Sequence, residues 1–504
     1  SCVFPMKGKK IITFNARSMK ILIPVFVVSL VFLSIYLFSF FSLPISIFFL
    51  VLFFVLTFLG ITNIERAVAF HIFLVPVINI NFLISDIRFA EFIFYGWERK
   101  GIHFDGVGLV LVNFFFIIHF FKSKFSLPKE RVILGFFCLF VFFHFLSFLW
   151  NPGYKPFVQL WTIFEQTMYL VYFCVVLILG RNKNNSILFA SCFVGGVTLC
   201  CLLTLGNFLL FFLGIIPRFE ELVHLFSMSG FSGVGGLSVP GPIPHRHFFS
   251  AILLLSIPLT FSISISEEFI GKKRWIASGF IQLMAFTLCY SKGAMIGIFI
   301  CFLFIFWKYR SKKPLVFIAA LLLLVSIIFP SIFHLSQEKV KIKSFSTWIE
   351  SSVRDRKYIF FRSLKMVDEN LWKGTGVDSF QMHFLHYEQK EMGENIPKFR
   401  KPYGKIRNVS AHNFYLLKLV ELGIGGFLAF ILLIFAFVQR LNVNFSSREN
   451  LRYLLISCVQ GSVLGLAFFA ITEDIFAYSK VMVAFLFCVS FGISLRSLPS
   501  KGGF

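Results

Sequence analysis

"SAHNFYLLKLVELGIGGFLAFILLIFAFVQR", residues 410–440, opens on a His-Asn pair and runs on as an apolar stretch long enough to cross a bilayer. In hydrocarbon every backbone N–H and C=O must be satisfied within the segment, so the run at 413–438 is expected to be a transmembrane helix. Comparable runs lie at 21–42, 44–61, 67–84, 106–121, 132–150, 161–180, 187–215, 247–266, 275–290, 293–307, 314–333, 453–472 and 477–495. The expected fold is therefore all-α, a polytopic transmembrane bundle of about 12–14 spans. The range reflects a first hairpin broken only by Leu43-Pro44 and a segment, 85–105, open to a re-entrant reading. Three regions follow: an N-terminal bundle at 1–333, a large polar loop with short helices at 334–411, and C-terminal transmembrane helices at 412–504.

Composition agrees. Hydrophobic residues make up 57% of the 504 and charged ones only 14%, where a soluble domain carries roughly 25% charged residues. Mean hydropathy is +0.83. Short alternating segments of the kind that build a transmembrane β-barrel are missing. The net charge of +24 would point to nucleic acid in a soluble chain; here it sits between apolar runs, so the partner it implies is the lipid bilayer, not nucleic acid. Of ten cysteines all but Cys2 fall in apolar runs, without CxxC or Cys/His ligand spacing, so they read as small buried hydrophobes and no metal site is expected. The stretch "KGKKIITFNARSMK" (7–20) precedes an apolar run too long for a signal-peptide core and reads as a retained first helix with a cytoplasmic start.

Basic clusters orient the bundle. "KSKFSLPKER" (122–131), "RNKNN" (181–185), "GKKR" (271–274), "WKYRSKK" (307–313) and "QRLNVNFSSRENLR" (439–452) fall on one side under this count, and mark it as cytoplasmic. The loop at 216–246, the turn "YSKGAM" (290–295) and the loop at 334–411 then share the opposite face. The last of these holds 15 Lys and Arg against 9 Asp and Glu. Two readings stand: a solvated loop touching anionic headgroups, or a site for a polyanion such as a lipid diphosphate.

The polar residues on that face form a pattern. In "SVRDRKYIFFRSLKMVDENLWKGTGVDSF" (352–380), Phe360, Leu364, Val367 and Leu371 mark an amphipathic stripe. Gly374 and Gly376 close it in a flexible turn. Arg354, Arg356 and Arg362 sit at or near the expected helix start, where backbone N–H groups also favour anions, and a guanidinium can grip two phosphate oxygens at once. His412 suits a general base toward a hydroxyl, and Asn413 either orients it or binds sugar. Equally, His412 and Asn413 could serve only as a helix cap, with Glu421 paired to a nearby lysine. Lys292 stands at an outer helix end, as a snorkelling residue or an anion contact, and Arg246 lies between His245 and His247 at the start of another helix.

In this order the patterns resemble the bacterial O-antigen ligase and O-antigen polymerase superfamily. The resemblance rests on Arg356, the Gly-Thr-Gly at 374–376, His412-Asn413, Leu416, Glu421 and Gly423, with "SKG" (291–293) where the family carries Ser-Arg-Gly. It covers residues 230–430 in clear motifs. It implies a GT-C-like membrane glycosyltransferase of the bacterial inner membrane, with no metal or other cofactor and with its active site on the periplasmic face. The donor would be a glycan on undecaprenyl diphosphate and the acceptor lipid A–core. The roles implied are His412 as general base and Arg356 with Lys292 on the diphosphate. Arg246, Arg354, Arg362, Asn413, Gly374, Gly376 and Glu421 would contribute to substrate binding. Lysine keeps the charge at 292 but loses the bidentate fork, which Arg246 would have to supply. Ligation is the leading expectation and polymerisation of repeat units the next. Protein O-oligosaccharide transfer and lipid-linked saccharide transport follow.

Overall fold

The computed structural model describes residues 43–77, 81–82, 102–122, 128, 130–151, 156–212, 246–266, 269, 271–289, 291–309, 345–392, 410–442 and 451–498. The chain is a helical bundle. Its described helices are α1 (Leu43–Thr62), α2 (Ile64–Val77), α3 (Phe104–Lys122), α4 (Arg131–Trp150), α5 (Pro156–Leu179), α6 (Lys183–Phe212), α7 (Arg246–Ser264), α8 (Lys272–Cys289), α9 (Lys292–Tyr309), α10 (Phe345–Asn370), α11 (Phe380–Met392), α12 (Phe414–Leu441), α13 (Leu451–Thr472) and α14 (Ser479–Arg496). Among the described residues the only strand pairing is two residues long, Asn81–Phe82 against Ile102–His103. Seven of the described helices are long and apolar enough to cross a membrane: α12, α13, α14, α4, α7 and most of α5 and α6. The expected runs at 21–42 and 314–333, the whole loop at 216–245, and most of the segment 85–105 lie outside the described residues, as does His245.

Reading the helix ends in order separates two faces. Arg440 of α12 pairs with Glu130 before α4 (2.7 Å), Arg496 donates to the Arg440 carbonyl and Arg452 to the Arg496 carbonyl (both 2.6 Å). Lys308 reaches Asn442 at the same end. The opposite ends of α7, α9, α12, α13 and α14 gather the residues of interest. In between, α9 packs along α13, α12 along α4, and α7 is buried by α8 and α13. Some polar side chains inside bond across helices: Gln282 of α8 contacts Thr198 of α6 and Thr260 of α7.

The decisive local feature is a break in α12. Gly423 has φ 67 and ψ −173, outside helical space. An unbroken helix would bond Ile424 N–H to the Val420 carbonyl. Here Ile424 N–H donates to the Leu371 carbonyl (2.8 Å) and Val420 accepts from Thr375 N–H (2.8 Å). Glu421's carbonyl accepts from Gly376 N–H (3.1 Å) and from Ser147 Oγ of α4 (2.8 Å). Asn151, just past α4, donates to the Gly374 carbonyl (3.2 Å). Leu371 and the Gly-Thr-Gly turn thus supply partners for backbone groups that the break in the helix leaves. Gly374 is required there: its φ is +69, and a Cβ would lie 2.3 Å from the Glu421 carbonyl oxygen.

Two expectations about the polar loop are corrected. Helix α10 is not short; it begins at Phe345 and reaches Asn370. "FSTWIESSVRD" contains no Gly or Pro to stop it, so Arg356 lies well inside the helix and gains nothing from its N-terminus. The residues of the apolar stripe divide, with Phe360, Leu364 and Leu371 outward and Val367 inward. Ile359, Ser363, Met366 and Val367 are buried, whereas Phe360, Leu364 and Leu371 are exposed.

Gly423→Ala should destabilise the protein by at least the ~1–2 kcal/mol of a left-handed L-residue. The added Cβ would also meet the Trp372 carbonyl oxygen at 2.6 Å. A thermal unfolding midpoint in detergent unchanged from wild type would refute the docked-turn account.

Candidate functional site

Helix α13 ends at Thr472 and is followed by Glu473 and Asp474 before a 3-10 turn at Ile475–Ala477. Glu473 is 4% exposed. A carboxylate cannot sit there without partners, and three separate segments deliver them. Arg356 of α10 places Nη2 on Glu473 Oε1 and Nη1 on the Thr472 carbonyl (3.0 Å). His412, just before α12, sets Nδ1 3.2 Å from Oε2. His247, near the start of α7, approaches Oε1 with Nε2 at 3.4 Å. Its other nitrogen bonds Ser291 Oγ at 2.9 Å, in the "SKG" turn that opens α9. That turn presses on the same helix end, since a Cβ on Gly293 would lie 2.3 Å from Thr472 Oγ1.

His412 is held in a backbone state that L-residues rarely adopt, with φ 49. Ser410 fixes it by accepting His412 N–H (3.1 Å) while donating to Asp474 Oδ2 (2.7 Å). Asn413 then caps α12 by accepting Leu416 N–H at 3.0 Å. Burial alone would push the Glu473 carboxyl up. The His412 hydrogen bond, aided by the charges of His247, Arg356 and His412, more than offsets this and holds it at about 2. An ionised carboxylate is a pure acceptor, so Nδ1 of His412 carries the proton in this bond and Nε2 is the atom left for proton transfer. The arrangement is that of an imidazole oriented by a carboxylate, the pairing that general-base catalysis relies on. Arg356 and His412 are both partly exposed, while the carboxylate between them is sealed.

The other expected residues separate. Lys292 is exposed and follows Ser291 in sequence, and Arg246 is half-buried and precedes His247. Arg362 is buried against Tyr358 of its own helix, Nε to the hydroxyl at 3.2 Å and the guanidinium over the ring at 5.2 Å. The side chain of Arg354 lies outside the described residues. Asn413 serves as the cap. Glu421 is buried and paired with Lys418 Nζ at 2.8 Å, one turn back on α12. Gly374 and Gly376 belong to the docked turn. Glu473, His247, Ser410 and Asp474 were not foreseen as site residues. The available signal was Glu473-Asp474 as adjacent carboxylates in the short gap between the runs at 453–472 and 477–495.

Among the described residues, His412, Glu473 and Asp474 form one group whose ligand atoms lie within 4.8 Å of one another, close enough to hold a metal ion. The guanidinium already on Glu473 opposes a further cation at that carboxylate.

Residues 277–431 match the family model described as O-Antigen ligase. The matched region takes in Lys292, Arg356, the Gly-Thr-Gly turn, His412 and Glu421, and it ends before Glu473. No curated protein matches the chain. The match supports the O-antigen ligase superfamily, the resemblance carried by the loop and helix motifs.

The stability contributed by Glu473 follows from its lowered pKa. It is complete above the ordinary value of 4.5 and is lost as pH falls through about 2. The stability difference between wild type and Glu473→Gln should therefore shrink as pH falls from 4.5 toward 2. Thermal unfolding of both proteins across that range checks this, and a difference that grows on acidification would contradict it.

Proposed function

We propose that this multi-pass membrane protein is a glycosyltransferase of the O-antigen ligase type. It moves a preassembled glycan from undecaprenyl diphosphate to a sugar hydroxyl of lipid A–core. The observation that carries the reading is the meeting of His412 and Arg356 on one buried carboxylate, Glu473. The family match supports the same reaction class.

The reaction is a displacement at the anomeric carbon. A lipid diphosphate is already an activated leaving group, so the protein needs a base for the acceptor and cations for the charge that develops on the departing oxygens. His412 Nε2 takes the acceptor proton, with Nδ1 held on Glu473 so that the tautomer is fixed; such a base contributes about 10²–10⁴-fold. Arg356 retains N–H donors beyond those it gives Glu473 and Thr472. These donors, together with Lys292, would bind the diphosphate. Direct attack inverts the anomeric configuration. The basic helix ends carrying Arg440, Arg452 and Arg496 point to the cytoplasm by the positive-inside rule, and this favours a site on the periplasmic face of the inner membrane.

His412→Ala should leave the protein inserted in the membrane and reduce glycan transfer by at least two orders of magnitude. Full transfer by this variant would remove the imidazole from the mechanism. Lys292→Arg should keep activity, because a guanidinium serves a diphosphate at least as well; a dead variant would assign Lys292 to packing. Deleting the gene and running the lipopolysaccharide on a gel should show core without attached O-chain. Core bearing a single repeat unit would identify a polymerase instead.

A further inference from the structure

Helix α10 is polar in sequence yet exposes large apolar side chains. Phe360, Phe361 (55%), Leu364, Leu371 and Trp372 (76%) lie open along the helix and the turn that ends it. Exposed lysines 357, 365 and 373 are interspersed, and Lys357 Nζ sits 5.9 Å from the centre of the Phe361 ring. Water is a poor solvent for such a face: an outward strip of phenylalanine, leucine and tryptophan edged by lysine is the composition of helices that lie in a membrane interface.

The position of the helix identifies the medium. One part of α10 is held at Arg356 to the C-terminal end of α13. The turn beyond its other end is pinned to the break in α12 and to Asn151 at the end of α4. Between Arg356 and Asn370 the helix spans about 21 Å, so it lies across the ends of the membrane-crossing helices. Trp372 accordingly sits where the lipid-facing sides of two spans end. Trp150, the last residue of α4, is exposed beside Asn151, and Leu428, just past the α12 break, is exposed as well. Tryptophan at the ends of spans marks the boundary between headgroups and acyl chains.

We infer that the outward face of α10 and its terminal turn is a lipid-docking surface, seated in the headgroup–acyl boundary of the leaflet that borders the site. Trp372, Leu371, Leu364 and Phe361 insert among the upper acyl chains, and Lys357, Lys365 and Lys373 reach the phosphates of anionic lipids. The surface does not depend on the transfer reaction. Its effect is to set Arg356, on the same helix, at the depth where the phosphates of any membrane-held lipid lie.

Tryptophan fluorescence of the full chain, reconstituted in vesicles of phosphatidylglycerol and acyl-chain-brominated phosphatidylcholine, tests this. The difference between wild type and Trp372→Phe isolates the signal of Trp372. It should emit at shortened wavelength, lose most of its intensity to the brominated chains, and resist aqueous iodide. Quenching by iodide without quenching by bromolipid would show a face in water. Resistance to both quenchers would show a face covered by protein. Either result overturns the proposal.

Discussion

A single carboxylate organises the end of the bundle where the motifs meet. Glu473 is sealed from water and ionised, and a lone negative charge in that position would cost several kcal/mol. Arg356, His412 and His247 neutralise it from three different segments, and Ser291 ties in a fourth through His247. The requirement works in both directions. The carboxylate needs these partners to be buried at all, and they in turn are gathered at one point by it. The chemistry assigned to His412 and the placement of Arg356 both descend from this constraint.

A second constraint makes the first possible. Arg356 belongs to a helix outside the spanning set, so something must fix that helix against the bundle. The Gly-Thr-Gly turn does so by taking over backbone partners that α12 gives up at Gly423. Only glycine allows the close approach, and only a break in α12 exposes carbonyls to accept it. The glycines around residues 374 and 423 thus make two halves of one joint.

The course of the spans was legible because period and length in hydrocarbon leave few choices; the apolar runs at 132–150 and 453–472 correspond to α4 and α13 within two residues. Arg356 and His412 were legible as residue types that recur at one face of the chain. Glu473 was not, because its importance lies in a meeting of residues 247, 356 and 412 that no local pattern encodes. Glu421 drew attention as an acidic residue inside an apolar run, but Lys418, three positions before it, satisfies it on the same helix. The stripe on α10 marks an amphipathic helix, which by the usual rule turns its apolar side inward. That rule assumes water outside, and here Ser363 and Arg362 turn in while Phe360 and Leu364 turn out.

The order of synthesis gives the Glu473 contacts a consequence for assembly. Every group that neutralises this carboxylate is made before it, with His247 leading it by more than two hundred residues. Until residue 473 is made, His247, Arg356 and His412 lack the carboxylate that links them. The cluster can therefore be completed only once α13 and its Thr472-Glu473 end have been made.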